Sequence, residues 1–156
     1  MAEDLAAILR KARIEDLDLG TPCKVSRETS LREAHRLLDE RHTGALVVCD
    51  EERVVGIFTD RDVLYRTALE GPDPDTPLAE LMTREPTTLS PEAPLSEAVE
   101  AMTRGGLRHI PLVAGERFEG VISSRDVLKF IAAHFPESVL NLPPRLNQTL
   151  RRPEGG

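Results

Sequence analysis

Aromatic residues are almost absent from this chain. Its 156 residues include no tryptophan, one tyrosine and four phenylalanines. This excludes a core built mainly from aromatic side chains, so leucine, valine, isoleucine and alanine must fill the interior. A chain of this length can bury about 70% of the surface that its unfolded form exposes, which is enough for one aliphatic core.

Cysteines and long apolar runs are scarce as well. Cys23 and Cys49 stand alone without metal-ligand spacing, so the sequence predicts neither a disulfide framework nor a metal site. No segment approaches the roughly 18 apolar residues of a membrane-spanning helix. Residues 1–11 are amphipathic and lack the apolar centre of a signal peptide. We therefore expect a cytoplasmic protein with reduced cysteines and no membrane partner.

The chain has fewer basic than acidic residues. The chain has 20 lysines and arginines against 27 aspartates and glutamates, and its net charge is −7. Non-specific binding of nucleic acid needs a basic face, so nucleic acid is not expected as a partner. A small anion needs only a local basic cluster. The sequence has no G-x-x-x-x-G-K-[ST] loop and no supported nucleophile–histidine motif, so we expect neither an enzyme nor a required cofactor.

The chain does contain a repeat of itself. A shift of 64 residues, which carries Gly56 onto Gly120, aligns the second half with the first without a gap. Leu31-x-Glu33-Ala34 then falls on Leu95-x-Glu97-Ala98, and Thr59-Asp60-Arg61-Asp62 falls on Ser123-Ser124-Arg125-Asp126. Two copies are too few for a solenoid. We therefore predict two pseudo-symmetric halves that share one core and form two related clefts.

Each repeat is predicted to fold in the order β-α-β-β-α. In the first copy, the Ser30-x-x-Glu33 capping pattern opens a helix, the apolar runs 45–49 and 54–58 follow as strands, and Thr59-x-x-Asp62 opens a second helix. The fold class is α/β (α+β), with both repeats packed as one module. The predicted boundaries are a lead-in helix over 1–13, repeat one over 14–69, a linker over 70–77, repeat two over 78–135 and a proline-rich tail over 136–156.

This organisation resembles a known family, the CBS domain pair or Bateman module. The resemblance rests on the tandem β-α-β-β-α unit with G-h-h-[ST]-x-x-D between its last strand and helix, and covers about residues 17–135. Leu81–Pro86 is similar to the family's opening segment and Arg108–Val113 to its central strand. It implies a stand-alone regulatory module, without an active site, that binds AMP, ADP, ATP or S-adenosylmethionine between its repeats.

The resemblance also implies a set of ligand contacts. A helix N-terminus attracts phosphate through its free N–H groups and its dipole, so Thr59 and Ser123 are assigned to phosphate. Asp62 and Asp126, one turn later, are assigned to the ribose hydroxyls. The other predicted contacts are the basic residues Arg61, Arg125, Arg108 and His109 and, around the base, Cys23, Lys24, Val25, Thr87, Thr88, Ile110 and Pro111.

Each of these assignments has a purely structural alternative. Thr-x-x-Asp and Ser-x-x-Asp are also helix-capping patterns, Arg61 can form a surface ion pair, and His109 can be a hydrogen-bonded core residue. The first repeat lacks the basic pair, because Gly44 and Ala45 align with Arg108 and His109. The competing prediction for the whole chain is a scaffold of the same fold that dimerises or docks without a ligand.

The expected mechanism is a shift between conformations. A ligand that bridges the two repeats would bias their relative angle or the geometry of a dimer. The resemblance and the apolar faces of the last helices favour a homodimer. The module would then act as a sensor of energy or metabolite state on a regulated protein that the sequence does not identify.

Overall fold

A computed structural model of the chain describes residues 4–134, so the predicted tail over 136–156 lies outside the described residues. The lead-in helix is α1 (Leu5–Lys11), and the first repeat then contains β1 (Lys24–Val25), α2 (Leu31–Glu40), β2 (Ala45–Asp50), β3 (Arg53–Thr59) and the helical segment α3 over 60–70. The second contains β4 (Thr83–Arg84), α4 (Leu95–Gly105), β5 (His109–Ala114), β6 (Arg117–Ser123) and α5 (Ser124–His134). The predicted α/β class is confirmed.

The strands form two sheets related by the repeat. In the four-stranded sheet, β1 pairs parallel with β2, and β2, β3 and β4 pair antiparallel in that order. In the second sheet, β5 pairs antiparallel with β6. The two hairpins share their register, because Ala45 pairs with Thr59 as His109 pairs with Ser123. Before α4, the chain makes a single isolated bridge to the second sheet, from Leu89 to Leu112.

The two repeats exchange their leading segments. The core of the first repeat contains Leu78, Leu81 and Met82, which precede the second repeat's sheet. The core of the second contains Leu9 and Ile14, from the beginning of the chain. Each half therefore completes the other's core, and the two halves form one module.

Backbone hydrogen bonds lock this exchange in place. Leu95 N donates to Ala12 O at 2.8 Å, and Leu31 N donates to Thr76 O at 2.8 Å. These two bonds are equivalent under the repeat, since both start at the first residue of a helix, α4 or α2. A helix start has backbone N–H groups without a partner in the helix, and here the incoming chain of the other repeat supplies that partner.

The last helices of the two repeats differ. α5 is a regular α-helix, whereas α3 contains a π-helical turn at Val63–Thr67 and ends at Gly71, which has a positive φ of 56°. The Thr67 hydroxyl is buried without a hydrogen-bond partner among the described residues. Across residues 4–134, no helix combines the length and the apolarity needed to cross a membrane.

Gly56 in β3 lies close to the chain that enters β4, whereas Gly120, its equivalent in β6, has no such neighbour. A Cβ at Gly56 would lie 2.9 Å from Met82 Cγ and 3.1 Å from Thr83 O. Gly56→Ala is therefore expected to lower the free energy of unfolding by about 1–3 kcal/mol, the usual cost of overpacking. Urea denaturation followed by circular dichroism measures this change.

Gly120 provides the matched control. The nearest atom to a Cβ at Gly120 is Leu112 Cδ1, at 3.9 Å, which is an ordinary contact. Gly120 is buried, but an added methyl group there meets no crowded atom, so Gly120→Ala should not lower the free energy of unfolding by the overpacking cost expected for Gly56→Ala. Equal destabilisation by the two substitutions would contradict the crowding of Gly56 by β4.

Candidate functional site

Two related clefts lie between the repeats. In each, the junction between the last strand and last helix of one repeat faces the lead-in segment and the loop before the hairpin of the other. Cleft one, of about 520 Å³, lies between the β6–α5 junction and residues 20–23 and 42–45. Cleft two, of about 410 Å³, lies between the β3–α3 junction and residues 83–87 and 105–109. Both volumes are in the range of small-molecule sites.

The junction of cleft one is a capping box. Ser123 N donates to Asp126 Oδ2 at 2.7 Å, Ser123 Oγ donates to the same oxygen at 2.9 Å, and Asp126 N donates to Ser123 Oγ at 3.2 Å. All three bonds leave the second carboxylate oxygen, Oδ1, without a hydrogen bond from any residue within 4–134. The helix cap therefore uses Oδ2 of Asp126, and Oδ1 can still accept a hydrogen bond.

The junction of cleft two has the same box with additional contacts. Thr59 N donates to Asp62 Oδ2 at 2.9 Å and Asp62 N donates to Thr59 Oγ1 at 3.3 Å. Here Asp62 Oδ1 is engaged as well, since Thr83 Oγ1 lies 3.5 Å and Arg66 Nε 3.8 Å from it. The repeat aligns Thr83 with Leu19 and Arg66 with Phe130. These apolar counterparts explain why Asp126 has no such neighbours.

The predicted basic residues reach the clefts in different ways. Arg125 lines cleft one and Arg61 lines cleft two, whereas Arg108 and His109 line both. Arg61 is partly held, because its Nη1 donates to Gly106 O at 3.5 Å and its guanidinium lies 5.6 Å from the centre of the Tyr65 ring. Neither Arg108 nor Arg125 forms a side-chain hydrogen bond or salt bridge within the part of the chain that the structure describes.

His109 lies against the first repeat. A Cβ at Gly44 would be only 2.9 Å from His109 Cε1 and 3.0 Å from its Nε2. Burial lowers the pKa of His109 below its ordinary value; Arg108 lowers it further, while the carboxylates of Asp60 and Asp126 partly oppose the shift. The neutral ring therefore predominates at neutral pH.

Cys23 and Thr87 occupy equivalent places in the two clefts. Cys23 lines cleft one beside Pro22, and Thr87 lines cleft two beside Pro86. Burial raises the pKa of the Cys23 thiol, although the nearby Arg41 acts in the opposite direction. The thiol is therefore protonated and gives cleft one an uncharged wall.

Five of the predicted contacts lie outside both clefts: Lys24, Val25, Thr88, Ile110 and Pro111. Lys24 Nζ instead pairs with Glu52 Oε1 at 3.4 Å, and Val25 packs against the first core. Ile110 and Pro111 are fully buried. Successive residues of an extended chain face opposite sides, so Ile110 faces away from the cleft that His109 lines.

Sequence reasoning missed several residues that line the clefts. Asp60 lines both, and Tyr65 and Thr83 line cleft two. Tyr65 is the single tyrosine of the chain. A comparison of the two repeats for polar residues opposite apolar ones would have singled out Thr83, because it aligns with Leu19.

Two β-α-β-β-α units with a pair of related clefts between them define a tandem-repeat module. The chain belongs to the CBS domain family, whose model matches residues 14–68 and 78–133. This confirms the resemblance to a tandem CBS domain pair.

Relatives and solved structures share this organisation. An uncharacterized 33.4 kDa protein of Thermofilum pendens is 35% identical over 130 residues, which is 83% of this chain and 42% of that protein. The chain thus spans less than half of that relative. A crystal structure of a conserved Pyrococcus horikoshii protein has a TM-score of 0.71 at 32% identity, covering 78% of this chain and 92% of the other.

A third similar structure was solved with ligands. It is the CBS domain pair of protein MJ0100 in complex with 5′-methylthioadenosine and S-adenosyl-L-methionine. Its TM-score is 0.71 at 22% identity, and the match covers 78% of this chain and 97% of the other. At this identity, the likeness establishes the shared fold.

The environment of His109 predicts how stability depends on pH. Its pKa is lower in the folded chain than in the unfolded chain, where it is about 6.5. Below that pH the unfolded state binds more protons, so the free energy of unfolding falls as the pH is lowered. The fall between about pH 7.5 and pH 5 is expected to be smaller in His109→Gln, as measured by urea denaturation.

His134→Gln is the control for this experiment, because His134 is an exposed histidine at the end of α5. This variant should keep the pH dependence of the unmodified chain. The assignment is wrong if His109→Gln loses as much stability on acidification as the unmodified chain does.

Proposed function

We propose that this chain is a regulatory module that binds an adenine nucleotide, AMP, ADP or ATP, between its two CBS domains. The observation that carries the proposal is the composition of the clefts. Each one joins a helix N-terminus and an aspartate with two arginines, which are Arg125 and Arg108 in cleft one and Arg61 and Arg108 in cleft two. The adenosine compounds bound by the similar protein MJ0100 support the class of ligand.

Cleft one has the chemistry for such a ligand. The phosphate lies at the N-terminus of α5, near Ser123, Arg125 and Arg108, where the helix dipole and the guanidinium groups favour negative charge. Asp126 Oδ1 accepts the ribose hydroxyls while Oδ2 keeps the helix cap. The capping and ligand-binding interpretations of Ser-x-x-Asp are therefore compatible in one side chain.

The proposed role is regulation without catalysis. A ligand in either cleft contacts residues of both repeats, so its binding free energy depends on their relative arrangement. Such a ligand stabilises the arrangement that it fits best and shifts the population toward it. A regulated protein that contacts both repeats would sense this shift.

We also propose that the module acts as a homodimer through its last helices. Leu64 is 60%, Tyr65 54%, Leu69 77% and Leu128 65% exposed. Leu64 and Leu128 are equivalent under the repeat, on α3 and α5. A second copy offers the same pair of apolar helix faces, which suits a self-complementary interface.

The nucleotide proposal is tested by titration. AMP, ADP and ATP should each raise the melting temperature and give binding heat, whereas GMP serves as the non-adenine comparison. Ligand at 100 times its dissociation constant stabilises the folded state by about 2.7 kcal/mol. Asp126→Ala should weaken nucleotide binding by about 10- to 100-fold, because hydrogen bonds to a charged group contribute about 1.5–3 kcal/mol.

Asp126→Asn separates the loss of the ligand contact from the loss of the helix cap. Asparagine keeps an acceptor for Ser123 N but removes the charge, so this variant should fold normally and still bind weakly. Unchanged affinity in both variants would remove Asp126 from the site. No shift with any adenine nucleotide would refute the sensor proposal and leave the scaffold interpretation.

The dimer proposal is tested by Leu64→Glu combined with Leu128→Glu. Charge on both apolar faces should convert the dimer to a monomer, because burying an unpaired carboxylate is unfavourable. Analytical ultracentrifugation measures the mass. Leu5→Glu, on α1, is the matched control and should remain dimeric. A monomeric unmodified chain, or a dimeric double variant, would contradict the proposed interface.

A further inference from the structure

We propose that the two clefts bind anionic ligands one at a time, because they share a single cationic side chain, Arg108, which lies beside the neutral ring of His109. This inference rests on the proposed function, since it takes adenosine phosphates as the ligands. It adds a property that symmetry alone would not predict: the chain has two clefts but one complete phosphate site.

The shared wall is the first observation. Arg108, His109 and Asp60 each line cleft one and cleft two. They come from the start of β5 and from the β3–α3 junction, so they lie between the clefts. A phosphate that enters from either side approaches the same cationic side chain.

Arg108 is anchored by its backbone and free at its side chain. Its carbonyl accepts a hydrogen bond from Ser124 N at 2.9 Å, which ties it to the first residue of α5. Its side chain is exposed and, among residues 4–134, forms no salt bridge or hydrogen bond. A long and uncommitted guanidinium at this position can bind a phosphate in one cleft or the other.

The first repeat has no basic pair at the positions aligned with Arg108 and His109; of its nearby basic residues Arg41 and His42, only His42 lines a cleft, cleft one. Gly44 and Ala45 occupy the aligned positions, although the backbone arrangement is the same, since Asp60 N donates to Gly44 O at 3.0 Å as Ser124 N does to Arg108 O. The space beside Gly44 is filled by His109, which a Cβ there would meet at 2.9 Å. A side chain at position 44 would therefore displace the ring of His109.

The charges on the wall make double occupancy unfavourable. A first phosphate neutralises Arg108, and the Asp60 carboxylate then remains beside the second cleft. A second phosphate would meet two negative groups and no free arginine at the wall, and these like charges repel one another. We expect the second nucleotide to bind at least about 10-fold more weakly than the first.

Titration calorimetry of the full chain with AMP, ADP and ATP tests this stoichiometry. The expected result is one nucleotide per chain, with any second event at least about 10-fold weaker. Two nucleotides that bind with equal affinity would overturn the inference and leave the proposed function standing. No heat with any of the three would refute the proposed function itself, and the inference with it.

Variants that weaken one cleft at a time test whether both clefts use Arg108. Asp62→Asn weakens cleft two and Asp126→Asn weakens cleft one, while each substitution retains an acceptor for its helix cap. Arg108→Gln should reduce AMP affinity about 10- to 100-fold in both backgrounds, because it removes a charge-assisted hydrogen bond from either cleft.

Arg125→Gln and Arg61→Gln are the matched controls, since each arginine lines one cleft only. Arg125→Gln should weaken AMP binding in the Asp62→Asn background alone, and Arg61→Gln in the Asp126→Asn background alone. All three arginines are exposed, so their loss should leave the melting temperature nearly unchanged. An effect of Arg108→Gln in only one background would show that the clefts do not share it.

Discussion

The exchange of leading segments between the repeats is the constraint on which the rest of the structure depends. A repeat of about 60 residues would bury a smaller fraction of its surface and be only marginally stable alone. Here each half gains its missing core residues from the other, through Leu9 and Ile14 in one direction and Leu78 and Met82 in the other. Packing of these core residues therefore fixes the position of the two halves relative to each other. It also fixes the geometry of the clefts between them.

Because of this exchange, each cleft is lined by residues from both repeats. A strand–helix junction from one repeat always faces a lead-in segment from the other, because the lead-in must cross over to complete the neighbouring core. At these junctions the aspartate of each capping box uses one carboxylate oxygen, Oδ2, for the cap, and its other oxygen, Oδ1, takes no part in the cap. The Thr/Ser-x-x-Asp motif thus caps the helix and also places a carboxylate in the cleft. Helix stability and ligand chemistry are therefore coupled at Asp62 and Asp126.

The departures from symmetry are what distinguish the two clefts. Thr83 and Arg66 engage the second oxygen of Asp62, whereas their counterparts beside Asp126 are apolar. Likewise, the basic pair exists in one copy, and His109 uses the space that Gly44 leaves. Differences at a few positions thus make the two clefts chemically different on a common backbone frame.

The sequence by itself determined the elements, the repeat and the family. Apolar runs and capping patterns are local signals, so the helices and both hairpins, including Ala45–Asp50 and Ser124–His134, follow from them closely. Only the tertiary structure decided which segments meet. It paired Cys23 with the Ser123 junction, put Arg108 between both clefts and left Lys24 and Ile110 outside them. These outcomes depend on the crossing of the lead-in segments and on side-chain direction, and contacts between residues distant along the chain leave no local pattern in it.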